Sequence, residues 1–149
     1  MCVLLAGIAL ALVLAVTGCE KSGKSDSETA QPPTTTADDV SSDGEVLSAD
    51  ASNFEELVLN SPVPVLLDCF TNWCPPCHML HPNLEEIAEE YAGQLRVVQV
   101  DVDKNQQVAQ RYNVRSIPAL FVIRDGDVVD RSVGYMSVDQ LKKLIGPHL

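Results

Sequence analysis

Apolar positions along residues 46–149 switch between helical and strand spacing. Phe54, Leu57 and Val58 recur at helical spacing behind Ser52-Asn53-Phe54-Glu55, a capping-box pattern that predicts a helix start. Val63 to Phe70 is an almost continuous apolar run of the length expected for a buried strand. In the next stretch Leu80, Leu84, Ile87 and Tyr91 share one helical face, with Glu85, Glu86, Glu89 and Glu90 turned mostly to water. Pro82 within that stretch predicts a kink. Leu95 to Val102 reads as a second strand and Asn105 to Tyr112 as a short helix. Ala119 to Ile123 and Val128 to Val133 flank Asp125-Gly126, a strong hairpin signal. Ser137-Val138-Asp139-Gln140 then caps a last helix with Val138, Leu141 and Leu144 inward. The order is βαβαβα followed by ββα, an α/β class. Helices between the early strands imply parallel pairing, and the hairpin adds an antiparallel edge.

The segment ahead of this domain has a different composition. Val3 to Val16 is apolar and uncharged, and at fourteen residues it is too short to span a bilayer, which takes about 20. It suits the h-region of a signal peptide. It ends in Val16-Thr17-Gly18-Cys19, which resembles the lipobox of bacterial lipoproteins, in which the cysteine is lipidated; Met1-Cys2 lacks the usual basic n-region. The expected organisation is a lipoprotein signal peptide at 1–18, a lipidated Cys19 opening a tether over 19–45, and a folded domain at 46–149. The tether is rich in Ser, Thr, Asp and Pro and nearly free of large apolar residues, so it is expected to be disordered. As a flexible coil of roughly 26 residues it would extend about 30 Å. The protein is therefore expected to be exported and membrane-anchored, in an extracytoplasmic location.

Formal charge is −11 over the chain. The charge falls as −6 over residues 20–50 and −5 over residues 51–149. With no basic stripe and no basic–aromatic interleaving, nucleic acid is not an expected partner.

Chemistry concentrates at Trp73-Cys74-Pro75-Pro76-Cys77, at the junction of the apolar run and the helix. Cysteines three apart at a helix start share a face, and the positive end of the helix dipole favours thiolate there. With Cys74 as N-cap, Pro75 and Pro76 fill the first two helical positions, where missing N–H groups cost little. The next backbone donor is the amide of Cys77, free to point back at the Cys74 sulfur. Cys74 is then the attacking thiolate and Cys77 the resolving thiol. An inert disulfide, or part of a zinc site completed by Cys69 with His78 or His81, are the alternatives. Structural zinc takes about four ligands, however, and there is no second Cys-x-x-Cys. Asp68 breaks the apolar run; burial of a carboxylate is costly and raises its pKa toward values useful for proton transfer.

These residues resemble the thioredoxin family over essentially all of 46–149. The resemblance lies in Val65-Leu66-Leu67-Asp68, Trp73-Cys74-x-x-Cys77, Pro82, Val100-Asp101-Val102-Asp103, Ile117-Pro118 and Gly134 after the hairpin. It implies the thioredoxin fold, a mixed central sheet flanked by helices, and thiol–disulfide exchange with protein substrates, without a cofactor or metal. It makes Cys74 and Cys77 the redox pair, Asp68 the proton acceptor for Cys77, and Pro118 a cis-proline facing the dithiol. Trp73, Ile117 and Pro118 would border the substrate, and His78 is a candidate to steady the thiolate. Three departures stand out: Pro75-Pro76 replaces the usual Gly-Pro, Gln99 stands where a lysine commonly neighbours the buried Asp, and Cys69 replaces an aromatic. Without the lysine, the pKa of Asp68 is expected to rise further.

The expected function is reduction of disulfides in exported proteins by a monomer, with electrons from a transmembrane thiol carrier, as in related tethered proteins. Oxidant or isomerase use of the same pair is open. A copper or zinc chaperone using Cys74, Cys77 and a histidine is the alternative from another class, and an adhesion lipoprotein with a fossil site is a third.

Overall fold

The computed structural model describes residues 44–149. The expected leader, the expected lipidation site Cys19 and the expected tether up to residue 43 lie outside the described residues. Five strands form one sheet: β1 (Val46–Ala49), β2 (Val65–Phe70), β3 (Arg96–Asp101), β4 (Ala119–Arg124) and β5 (Asp127–Val133). Their order is β1-β3-β2-β4-β5, parallel for β1/β3 and β3/β2 and antiparallel for β2/β4 and β4/β5. Three helices complete it: α1 (Pro75–Glu90), α2 (Gln106–Arg111) and α3 (Val138–Ile145). This is the mixed sheet flanked by helices that the residues led us to expect.

β2 is the central strand, and its alternating side chains reach two separate cores. Val65, Leu67 and Cys69 join Phe54, Val58, Val108 and Tyr112 on one face; Leu66 joins Leu80, Leu84, Ile87, Leu141 and Ile145 on the other. α1 packs its predicted apolar stripe into this second core, each large side chain contributing roughly 1.5–3 kcal/mol by burial. It continues through Pro82 without ending. An ion pair of 2.6 Å between Lys142 and Glu90 ties α3 to α1.

One local expectation is revised. The helix near Phe54 is a five-residue π-helical segment, Glu55–Leu59, and the Ser52/Glu55 capping box does not form. Asp50 takes that role: its carboxylate accepts from the Ser52 amide (2.8 Å), and its own amide donates to Asn53 Oδ1 (2.8 Å). Buried Arg96 braces the segment by donating to the Leu57 carbonyl at 3.1 Å. In α3 the Ser137/Gln140 capping box is present and Val138, Leu141 and Leu144 face the second core as expected, Leu141 fully buried and joined there by Ile145, Val138 and Leu144 half-buried. The hairpin turn forms at Asp125-Gly126 with both residues at positive φ, 54° and 82°, as its sequence requires.

Candidate active site

Cys74 occupies the N-cap of α1 in an extended conformation, φ −92° and ψ 102°, with Pro75 and Pro76 directly after it. Proline's fixed φ suits the first helical turn, and the two missing amides would have lacked intrahelical partners anyway. The first amide the turn presents is that of Cys77, which donates to the Cys74 Sγ at 3.3 Å. The two cysteines are joined as a disulfide across 5.3 Å between Cα atoms. Both are nearly covered, 2% and 3% exposed. A partly positive amide held against Sγ would stabilise negative charge there once the bond is opened.

Asp68 lies fully buried in β2 on the face that packs against α1, two residues along from Leu66. The parallel register sets Gln99 beside it, and Gln99 Nε2 donates to Asp68 Oδ2 at 3.1 Å. Oδ1 is buried without a hydrogen-bond partner. Burial pushes the Asp68 pKa up to about 7, with the Gln99 hydrogen bond acting weakly the other way. An amide, unlike an ammonium, brings no compensating charge, so a single neutral donor leaves desolvation dominant.

Cys69, the next residue, faces the opposite core. It is fully buried, and burial first, then the charge of Asp68, pushes its thiol up to about 12. Among the described residues no three His, Cys, Asp or Glu side chains gather as a metal site would require.

Around the dithiol the loop is anchored by two carboxylates from the end of β3. Trp73 is 69% exposed, its indole Nε1 donating to Asp103 at 2.7 Å, and Asn72 donates to Asp101 at 3.0 Å. The ring of Trp73 thus stands in solvent beside the pair. His78 Nε2 meets the Asn72 carbonyl at 2.8 Å, so that nitrogen pins the loop. Ile117–Pro118 is a cis peptide, and the Pro118 carbonyl accepts from the Gly134 amide at 2.8 Å. The anchoring roles of Asp101 and Asp103 were not foreseen. Both lie about 30 residues from their partners, and the only sequence trace of them is the acidic alternation after β3.

The family model described as Thioredoxin matches residues 45–146. Thioredoxin of Haemophilus influenzae is 43% identical over 105 residues, covering 70% of this chain and 98% of that protein. Thioredoxin 1 of a Nostoc species is 44% identical over 98 residues, 66% of this chain and 92% of that protein. Thioredoxin of Bacillus subtilis reaches 46% over 85 residues, 57% and 82% respectively. The chain belongs to the thioredoxin family and is a thiol–disulfide oxidoreductase.

Proposed function

We propose that this oxidoreductase works outside the cytoplasm, anchored to a membrane through lipidated Cys19, and reduces disulfides in exported proteins. The observation that carries the chemistry is the Cys77 amide directed at Cys74 Sγ across two prolines. The location is supported by the apolar run ending at Thr17-Gly18-Cys19 and by the polar, acidic stretch after it.

In the reaction the Cys74 thiolate attacks one sulfur of a substrate disulfide, forming a mixed disulfide and releasing the other substrate sulfur as a thiolate. Cys77 passes its proton to the Asp68 carboxylate, and its sulfur then attacks Cys74 Sγ. The Cys74–Cys77 disulfide closes and the second substrate thiolate leaves. Two electrons have moved from enzyme to substrate. A pKa of about 7 lets Asp68 accept and return a proton at neutral pH. Trp73 and Ile117 border the approaching substrate in this reading, with Pro118 facing the pair. Re-reduction requires a thiol carrier that spans the membrane, because a cytosolic reductase cannot reach an exported site.

The full chain, equilibrated with defined thiol buffers, tests the direction. A potential near −270 mV fits a reductant, and one above about −180 mV refutes it in favour of a disulfide donor or isomerase. The anchor has its own test: Cys19→Ala should abolish labelling by radioactive palmitate and release the protein from membranes. Continued membrane retention of that variant would count against lipidation.

A further inference from the structure

The turn that carries both cysteines is closed a second time, without a covalent bond, by the residues that flank it. His78 Nε2 meets the Asn72 carbonyl at 2.8 Å. A carbonyl only accepts, so this nitrogen carries the hydrogen whether or not the other ring nitrogen is protonated. The His78 backbone amide donates as well, to the Cys74 carbonyl at 3.2 Å. One residue directly after Cys77 thus grips carbonyls on both sides of Trp73. The acceptor end is itself fixed. Asn72 Nδ2 donates to Asp101 Oδ2 at 3.0 Å, and the other Asp101 oxygen accepts from the Asp103 amide at 3.1 Å. Lys104 pairs with Asp101 at 3.3 Å. The link therefore ties the first turn of α1 to the end of β3 rather than to a loose loop. The Cys74–Cys77 disulfide closes a smaller loop nested inside it. Nested closures pre-order the chain for each other, because the entropy of bringing the ends together is lost only once.

We infer that His78 is a positioning residue for the second step of the exchange: its ring, bonded to the Asn72 carbonyl, staples the dithiol turn while Cys74 carries a mixed disulfide. The covalent closure is missing at that stage, and the staple keeps Cys77 within reach of Cys74 Sγ. The Cys77 sulfur then attacks Cys74 Sγ, the Cys74–Cys77 bond forms, and the bond to the substrate breaks with its sulfur leaving as a thiolate. Holding attacker and target together raises their effective molarity. Pro75 and Pro76 stiffen the span between the cysteines, and the staple fixes its two ends. The role calls for a hydrogen-bond donor at residue 78, not for a charge. The inference rests on thiol–disulfide exchange by this pair and not on the direction in which electrons flow.

The test mixes the reduced full chain with oxidised glutathione, quenches with acid, and follows the glutathione adduct by mass spectrometry with its position mapped to Cys74. Attachment reports the first attack, and loss of the adduct reports closure by Cys77. His78→Ala should slow closure by about fivefold, the scale of one hydrogen bond, and leave attachment at the wild-type rate. The effective molarity of the pair, read from its equilibrium with reduced and oxidised glutathione, should fall by the same factor. His78→Gln, which supplies a neutral amide donor, should recover most of both losses. Closure at the wild-type rate in His78→Ala, a slowing of attachment as large as that of closure, or a Gln variant no better than Ala overturns the staple. A wild-type protein that acquires no adduct at Cys74 overturns the reading of Cys74 as the attacking thiol, and the staple with it.

Discussion

The two faces of β2 place adjacent residues in equally dry surroundings with opposite results. Asp68 and Cys69 are both fully buried, and burial is the first cause of the shift in each. It lifts the carboxyl from 3.8 to about 7 and the thiol from 9.0 to about 12, a rise of about three in both cases. The environments differ little; the starting values differ by about five. A carboxyl raised that far lands where protons move at neutral pH, whereas a thiol raised as far is locked in its protonated form. Tyr112, on the Cys69 side, follows the same logic: its hydroxyl is buried without a partner and its pKa is raised by burial. One face of the strand works and the other is inert because of which residue type the register delivers to each.

The comparison breaks most completely at the cysteines. Cys74→Ser should reduce disulfide exchange to background in a protein-disulfide assay while leaving the fold intact, and measurable turnover would show that another thiol does the work.

Next comes the buried carboxyl. Unfolded Asp68 ionises near 3.8 but the folded protein holds its proton to about 7, so this group's contribution to stability is greatest below pH 4 and is lost as pH rises toward and through 7. The loss is about 4 kcal/mol, treating the site as fully desolvated. Asp68→Asn should remove that slope, making the variant more stable than wild type at pH 8, and should flatten the pH profile of exchange near neutrality. Urea titrations of wild type and Asp68→Asn at pH 5 and pH 8 decide it; a stability difference between the two proteins that is the same at both pH values would show that Asp68 is already ionised at low pH.

Packing comes third. Leu66 and Leu67 are both fully buried on opposite faces. Leu66→Ala and Leu67→Ala should each cost about 2–5 kcal/mol by denaturant unfolding. Strongly unequal losses would show that one face is looser than the other, and the comparison would need to include packing.

The smallest effect belongs to the inert thiol. Cys69→Val should change stability by less than about 1.5 kcal/mol and leave exchange rates untouched. A clear loss of activity would move Cys69 to the working side.

What was legible in the sequence follows the range of the interactions. β2, α1 and the hairpin were readable because Asp125-Gly126, the Leu80/Leu84/Ile87 stripe and the prolines after Cys74 act within a few residues. The segment at Phe54 was misread because two patterns with a three-residue spacing compete there. Asp50 with Asn53 captured the local donors, leaving Ser52 and Glu55 no box to form. The last helix was read correctly at Val138, Leu141 and Leu144, which all pack on the second core, while Ile145 went unnamed because nothing local separates it from the equally apolar Leu144 beside it. Gln99 was recognisable only as a missing lysine; its hydrogen bond to Asp68 depends on the β2/β3 register. The Trp73–Asp103 and Asn83–Tyr135 contacts join residues 30 and 52 apart, which no local spacing encodes.

Trp73 is the chain's single tryptophan, it stands in water, and it precedes the redox pair by one residue. A disulfide quenches a neighbouring excited indole by accepting its electron, and a dithiol does so far less. The protein therefore carries its own optical gauge: its emission should be red-shifted by water and should brighten when the bond opens. No second indole adds background to that signal, so each turnover can be timed by light from the native chain without a label.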